Sequence, residues 1–464
     1  MLWLPAPTTH RVGRHMTLDT ITRYDPDRIS RRDGHALVVG ASMAGLLAAR
    51  VLADGFETVT IVEKDRLPAG ANTRPGVPQS RHIHVLQRAG QEMLDDLFSG
   101  YTEELTEAGG LEIDAAVDFD VYTEGDFLAK GPVRMPMYCA SRPLFESVTR
   151  QRVAALENVT IRDRCQFVGL VTDDDASTVE GVTVRTGGDE REIDAELVVD
   201  ATGRTSRTPT WLENNGYTPP PTDVVTIGVA YSTIVLERDA ADRRALVVFP
   251  TPPNRRGCAT FPIEGGKRVL TLAGYHGDHA PTDPDGFADF ADSLPVPDVR
   301  ALLDEHEVVS EDIAFYPIPS NRRRRYEDLE EFPEGLLVVG DAIASFNPIY
   351  GQGMSVAALE AAQLHHTLAT DGRDGIALPF FERAGRVVDE AWMLSTGADF
   401  KYPETSGPRP FGTGVTNRYL ARLTRKAHSD WRLAEAFGRV GFMETGAASL
   451  FRPAIAWRVL KPGR

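Results

Sequence analysis

Ala36-Leu37-Val38-Val39-Gly40-Ala41-Ser42-Met43-Ala44-Gly45 is the stretch that decides the fold. Its first half is short and continuously apolar, as in a strand covered on both faces in the middle of a parallel sheet. A turn of small residues follows, then a helical run from Ala44 to Asp54 that Gly55 stops. A second apolar strand, 58–62, completes a βαβ unit. Such a turn suits a pyrophosphate. Gly40 allows the tight turn, and Gly45 lets the helix pack against the strand. Ser42, Met43 and Ala44 open the helix, whose N-terminus offers free N–H groups and the positive end of its dipole. Ser42 takes the place of the usual middle glycine, where a small side chain still fits. Glu63 ends the second strand 23 residues after Gly40, where a carboxylate accepts the hydroxyls of an adenosine ribose, and Lys64 stands beside it. The motif predicts a dinucleotide without separating FAD, NAD and other adenosine ligands.

Three further segments extend the pattern. Residues 141–156 read as a helix, and 195–200 as a buried strand closed by Ala201-Thr202-Gly203. Residues 335–341 form a third such strand, followed by a loop and a long helix from about Met354 to Thr370. Residues 75–135 mix helical and extended patterns, 222–275 alternate like antiparallel strands, 284–306 suggest two short helices, and 376–464 are mostly helical. The predicted class is α/β, a doubly wound Rossmann-like domain assembled from 34–74, 136–215 and 320–375. A mixed-sheet substrate domain, 75–135 and 216–319, is inserted into it. A flexible segment, 1–33, precedes these parts and a helical region, 376–464, follows them. Met16 offers a second start, with the first fifteen residues as an extension.

Composition narrows the function. The 464 residues are 42% hydrophobic and 25% charged, enough for a buried core and a soluble surface. A formal charge of −17 argues against a nucleic-acid partner, whose footprint would be basic. Cys139, Cys165 and Cys258 form no C-x-x-C pair, so zinc and disulfides are not expected and a cytoplasmic location is. No run approaches the ~18 apolar residues of a transmembrane helix. No metal site is expected.

The second decisive stretch is Gly340-Asp341-Ala342, then Pro348, then Gly351-Gln352-Gly353-Met354 before a helix. A buried strand delivers Asp341 to the sheet's end, where it suits a ribityl or ribose hydroxyl. Gly351 and Gly353 let the backbone approach a flat ring. The helix that follows points its positive end at the edge where charge gathers on reduction. The string GDAIASFNPIYGQGMSVAALEA, 340–361, resembles the second flavin motif of single-component FAD-dependent aromatic hydroxylases and polyene epoxidases. That family has the para-hydroxybenzoate hydroxylase fold, with geranylgeranyl reductases and flavin halogenases as cousins. The similarity spans about residues 35–370 through four motifs.

The resemblance implies FAD as cofactor, NAD(P)H as electron donor, and dioxygen and an apolar small molecule as substrates. In the family's chemistry dioxygen adds at flavin C4a, and the distal oxygen of the hydroperoxide attacks an electron-rich ring or alkene. The hard chemistry belongs to the cofactor, so no catalytic acid or base is named. Arg74, in Arg74-Pro75-Gly76, resembles the family's Arg-x-Gly arginine near the flavin phosphate or ribityl, and Arg142 resembles the arginine of the connecting helix. Read without the family, both would be surface arginines. Asp200-Ala201-Thr202-Gly203 departs from the hydroxylases' Gly-Ala-Asp-Gly: Thr202 stands where their aspartate does, which puts direct reduction by bound NAD(P)H in doubt.

Three rivals stay open, of which a flavin halogenase would carry Trp-x-Trp-x-Ile-Pro, a string this sequence lacks. A reductase of isoprenoid double bonds would carry Tyr-x-Trp-x-Phe-Pro, and the nearest string, Cys258-Ala259-Thr260-Phe261-Pro262, lacks the Tyr and Trp. A non-catalytic flavin-binding redox sensor would be expected to have lost Asp341 and Gly351–Gly353. Substrate contacts are expected from the inner face of the inserted sheet, at Tyr231, Phe249 and Phe261, with Tyr275 a further candidate. His82 and His84 alternate as on an extended segment and could face a flavin or a metal, or be structural. Arg322 to Arg325 read as a solvated run paired with Glu327, Asp328, Glu330 and Glu331.

Overall fold

The structure, a computed structural model, describes residues 16–29 and 33–462. The residues expected to form a buried strand do so: His35–Val39 is the middle of a five-stranded parallel sheet. Across that sheet the strands run Leu336–Val338, Leu197–Asp200, His35–Val39, Thr58–Val62, Val159–Arg162. The chain passes outward on one side of the first strand and then on the other. Ligands of such sheets bind at the reversal, beyond the carboxyl ends of the strands. Gly40 and Asp341 lie just past those ends.

The sheet is apolar on both faces because both are covered. Ala36 and Val38 pack with Leu46, Val51 and Leu359, on the helices Met43–Gly55 and Gly353–Thr370. Leu37 and Val39 pack on the other face with Val182 and Val184, from a three-stranded antiparallel layer. The helix expected at 141–156 spans Arg142–Ala154, begun by Ser141, whose hydroxyl accepts from Leu144 N–H.

The alternating segments form an eight-stranded mixed sheet. Its central strands are Ala314–Arg324, Thr222–Glu237, Lys267–Gly274, Arg256–Ile263 and Ala245–Val248, all antiparallel neighbours. Phe119–Thr123 joins them in parallel with Ala245–Val248, and the short strand Ala344–Ser345 closes the opposite edge. The mixed sheet therefore reaches the loop after Asp341. The tail supplies the helices Ala377–Asp399, Thr413–Ala427, Trp431–Gly441 and Pro453–Leu460. Residues 1–15 lie outside the described residues. From Met16 the chain is tied to the body: Met16 N–H donates to Arg386 O at 3.2 Å and Leu18 N–H to Met443 O at 3.1 Å. Among the described residues no helix is long and apolar enough to cross a membrane.

The run 322–325 is not a solvated patch. It ends the strand Ala314–Arg324, held between Thr222–Glu237 and Ala344–Ser345, so its side chains are drawn inward. Arg323 is 1% exposed and pairs with Glu327 and with Asp389 at 2.6 Å, while Arg324 donates to Ala342 O at 2.7 Å. Arg325 pairs with Asp223 at 2.6 Å. Asp328, Glu330 and Glu331 take no part in these pairs.

Candidate flavin site

One cavity of about 1620 Å³ runs between the two sheets. That exceeds the roughly 300–1,000 Å³ of ordinary small-molecule pockets and leaves room for more than one ligand. Of the fourteen cofactor candidates, thirteen border it: Gly40, Ser42, Met43, Ala44, Glu63, Lys64, Arg74, Arg142, Asp341, Pro348, Gly351, Gly353 and Met354. Gly45 is set back and packs instead. A Cβ there would lie 1.9 Å from Gly40 O and 3.2 Å from Ala201 Cβ.

The first turn is braced by carboxylates. Glu63 accepts from Ala41 N–H at 2.9 Å and from Asp65 N–H at 3.0 Å. Arg74, 6% exposed, meets Glu63 at 3.1 Å, Asp65 at 2.9 Å and Glu146 at 2.9 Å, and donates to Ala41 O at 3.2 Å. Arg142, 5% exposed, donates to Ser42 Oγ at 2.7 Å and Glu146 Oε2 at 3.0 Å. Neither arginine is a surface residue: Glu63, Asp65 and Glu146 converge on Arg74, and Ser42 with Glu146 of its own helix holds Arg142. Burial and then the nearby Arg74 depress the Arg142 guanidinium, opposed by Glu146 and Asp341. Its Nε is buried without a partner. A buried cation with a donor still unused, beside a helix N-terminus whose Ser42 side chain caps no N–H, is what a pyrophosphate needs.

The second loop meets the cavity from the far side. Gly351 has φ +66°, and a Cβ on Gly353 would touch nothing within 4 Å, so the backbone there faces open space. Asp341 is exposed to the cavity, deep among surrounding protein groups. Burial raises its carboxyl above the ordinary range, while Arg142 and Arg204 pull it down. Arg142 thus touches Ser42 of the first turn and lies near enough to Asp341 for their charges to interact. The donors, the carboxylates and the open backbone fit an extended FAD.

Behind the second loop lies a cluster that the sequence did not announce. Asp399, fully buried at the end of the helix Ala377–Asp399, accepts from Asn321 Nδ2 at 2.8 Å and Asn347 Nδ2 at 2.9 Å. It also accepts from the hydroxyls of Tyr275 and Tyr350, each at 3.3 Å. Gln87 Nε2 donates to Tyr350 O at 2.7 Å. The only local hint was Asn347 inside the loop; the partners come from four distant segments.

The substrate candidates Tyr231, Phe249, Phe261 and Tyr275 all border the same cavity. Phe249 stacks on Tyr350 with centroids 6.1 Å apart, and Phe261 lies against Phe119 at 5.3 Å. His82 shares a hydrogen bond with Thr233 Oγ1 at 2.7 Å, and His84 Nδ1 bonds His82 O at 3.0 Å. Burial lowers both, to about 4 for His82 and about 3 for His84, so both are neutral at pH 7. Among the described residues no three His, Cys, Asp or Glu side chains are grouped to hold a metal. The departing residue Asp200 is spent on its own turn. It accepts from Thr202 N–H at 2.9 Å and from the hydroxyls of Thr202, Ser206 and Thr208, each at 2.6 Å.

Comparison with known proteins agrees with this geometry. The FAD binding domain family matches residues 33–374, and the chain belongs to that family of FAD-dependent monooxygenases with the para-hydroxybenzoate hydroxylase-like fold. It is 33% identical to protein Rv3254 of Mycobacterium tuberculosis, over 89% of this chain and 90% of that one. It is 26% identical to 6-methylpretetramide 4-monooxygenase of Streptomyces rimosus, over 85% and 92%. In fold it resembles the flavin-dependent brominase Bmp2, with TM-score 0.64 at 16% identity, covering 92% of this chain and 98% of that. It also resembles p-nitrophenol 4-monooxygenase of Pseudomonas putida, with TM-score 0.60 at 16% identity, covering 90% and 100%.

Proposed function

We propose that the protein is a cytoplasmic FAD-dependent monooxygenase that takes electrons from NAD(P)H and hydroxylates or epoxidises an apolar small molecule. The observation that carries this is the single cavity bordered by both flavin turns and by the aromatic face of the mixed sheet. When bound, the flavin would supply electron transfer and the activation of dioxygen. The chain's own part is to bind, orient and exclude water. Ser42 and Arg142 hold the pyrophosphate, Glu63 the adenosine ribose, and Asp341 a ribityl hydroxyl. The N-terminus of Gly353–Thr370 would supply its positive end to the polar edge of the flavin. Residues 34–74, 136–215 and 320–375 hold the cofactor, and 75–135 with 216–319 roof the substrate. Tyr231, Phe249 and Phe261 present an apolar wall that keeps water from the reacting face.

The test is direct. The purified protein should show a flavin spectrum, and NADH or NADPH in air should be consumed faster when the right phenol or polyene is present, with matching oxygen uptake. Oxygen-independent saturation of an alkene would replace this reading with a reductase. A flavin inert to both nicotinamides would leave a sensor.

A further inference from the structure

The chain's charge is divided unevenly. Residues 409–464 hold eleven Arg and Lys against three Asp and Glu, in a protein whose formal charge is −17. Among the described residues the same region carries the three most exposed large apolar side chains, Phe411, Val415 at 71% and Trp457 at 71%, together with Leu460 at 59% and Phe451 at 46%. Isolated apolar residues on a surface need no explanation, but a group of them rimmed by basic residues does.

These side chains belong to one packed unit. Val415, Tyr419, Arg422 and Lys426 recur at helical spacing along one face of Thr413–Ala427. Tyr419 stacks on Phe451 at 4.6 Å and its hydroxyl donates to Leu450 O at 2.7 Å. Arg422 donates to Val459 O at 2.7 Å and Leu460 O at 3.1 Å, and Lys426 to Arg458 O at 3.3 Å. That face therefore runs from Val415 past Phe451 to the end of Pro453–Leu460. On this last helix Val459 is fully buried, while Trp457 and Leu460, three apart, face out. Arg418, Arg452 and Lys461 are exposed around them and meet no carboxylate among the described residues. Phe411 and Phe451 also border the cavity, and so do Leu420 and Thr424 on the inward side of the same helix. The outer patch and the cavity share a rim.

We propose that this face docks on an anionic lipid surface, with Trp457 and Leu460 seated at the acyl boundary and Arg418, Arg452 and Lys461 among the phosphates. Bulky apolar side chains interspersed with Arg and Lys are what an interfacial helix uses, and basic residues draw it to negative headgroups. The acidic remainder of the chain is screened beyond roughly 8 Å at physiological salt. A symmetric pairing of two copies would press two basic faces together. Docking stands apart from the proposed reaction. Its use rests on that reading: an apolar substrate would pass from the bilayer into the cavity between Phe411 and Phe451.

The test uses the full-length protein and co-sedimentation with phosphatidylcholine vesicles, with and without phosphatidylglycerol, at low and high salt. Binding should require the anionic lipid and fall at high salt. Two double variants, Arg418→Glu with Arg452→Glu and Trp457→Ser with Leu460→Ser, should each weaken it on the order of tenfold or more. Both should keep the wild-type melting temperature and flavin absorbance. Wild-type protein that stays in the supernatant with anionic vesicles overturns the proposal, as do variants that bind like wild type. A concentration-dependent dimer that the Trp457→Ser, Leu460→Ser variant loses, without vesicle binding, assigns the face to a second copy and also overturns it. Absence of NAD(P)H turnover would sink the proposed reaction and leave the vesicle result standing.

Discussion

Asn347 donates a hydrogen bond to Asp399 at 2.9 Å, so the final turn of a C-terminal helix fastens the loop that ends at Gly351 and Gly353. The carboxyl is fully buried, is served by four neutral donors and has no cation in its hydrogen-bond shell. Burial raises it to about 6, against the pull of those donors. An acid raised on folding is best tolerated while protonated. The stability tied to that proton is complete below the ordinary carboxylate range and lost as pH rises through about 6. Asp399→Asn should therefore gain melting temperature relative to wild type between pH 5 and pH 8. A difference that stays flat across that range would remove Asp399 from the titration. Asp399→Ala should cost about 1–3 kcal/mol for each buried donor it strands.

Glu360 offers a second, separate window. It accepts from Gly340 N–H at 2.7 Å, its other oxygen has no partner, and burial lifts it to about 8. It is neutral at pH 7, and its contribution fades as pH rises through about 8. Glu360→Gln imitates the neutral form. It should melt with wild type near pH 4.5 and increasingly above it as pH rises to 9; a wild-type advantage at pH 9 would contradict this.

Arg74 and Arg142 sit side by side and should fail differently. Arg74→Met removes the cation shared by Glu63, Asp65 and Glu146 and should cost about 3–5 kcal/mol in denaturant unfolding. Arg142→Met removes a hydrogen bond to Ser42 and an ion pair with a Glu146 that Arg74 still serves, so apoprotein stability should fall by less, about 1–2 kcal/mol. Flavin affinity, titrated by fluorescence quenching, should nevertheless fall roughly 10–100-fold, the equivalent of one charge-assisted hydrogen bond. Equal losses of stability in the two variants would refute the assignment.

Two glycines separate packing from binding. Gly45→Ala puts a carbon 1.9 Å from Gly40 O, so the turn must move; we expect a loss of about 2 kcal/mol or more together with the flavin. Gly353→Ala meets no protein atom within 4 Å. It should melt within about 0.5 kcal/mol of wild type and yet hold flavin less tightly. Full flavin retention in Gly353→Ala would move the ring away from that position.

Four of the five parallel strands were legible because each is a short, largely apolar run covered on both faces; Val159–Arg162, at the sheet's edge and interrupted by Thr160 and Arg162, has no such run. The turns at 40–45 and 340–354 were legible because phosphate and ring approach limit the residues to small ones. What stayed hidden depends on neighbours far along the chain. Arg322–Arg325 look solvated until two strands close over them, and Arg74 looks like a surface residue until Glu63 and Glu146 converge on it. Asp399 has no local signature at all, because its partners come from residues 275, 321, 347 and 350.

The crowding of Arg74 against Arg142 bears on how the polypeptide matures. Both guanidiniums share Glu146, and the Nε of Arg142 is buried without a partner; a diphosphate would give it one, so the dinucleotide would act as a late structural component as well as a reagent. Thermal resistance of isolated material should accordingly climb with the concentration of added FAD, and preparations starved of it during expression should be the ones that unfold or aggregate first.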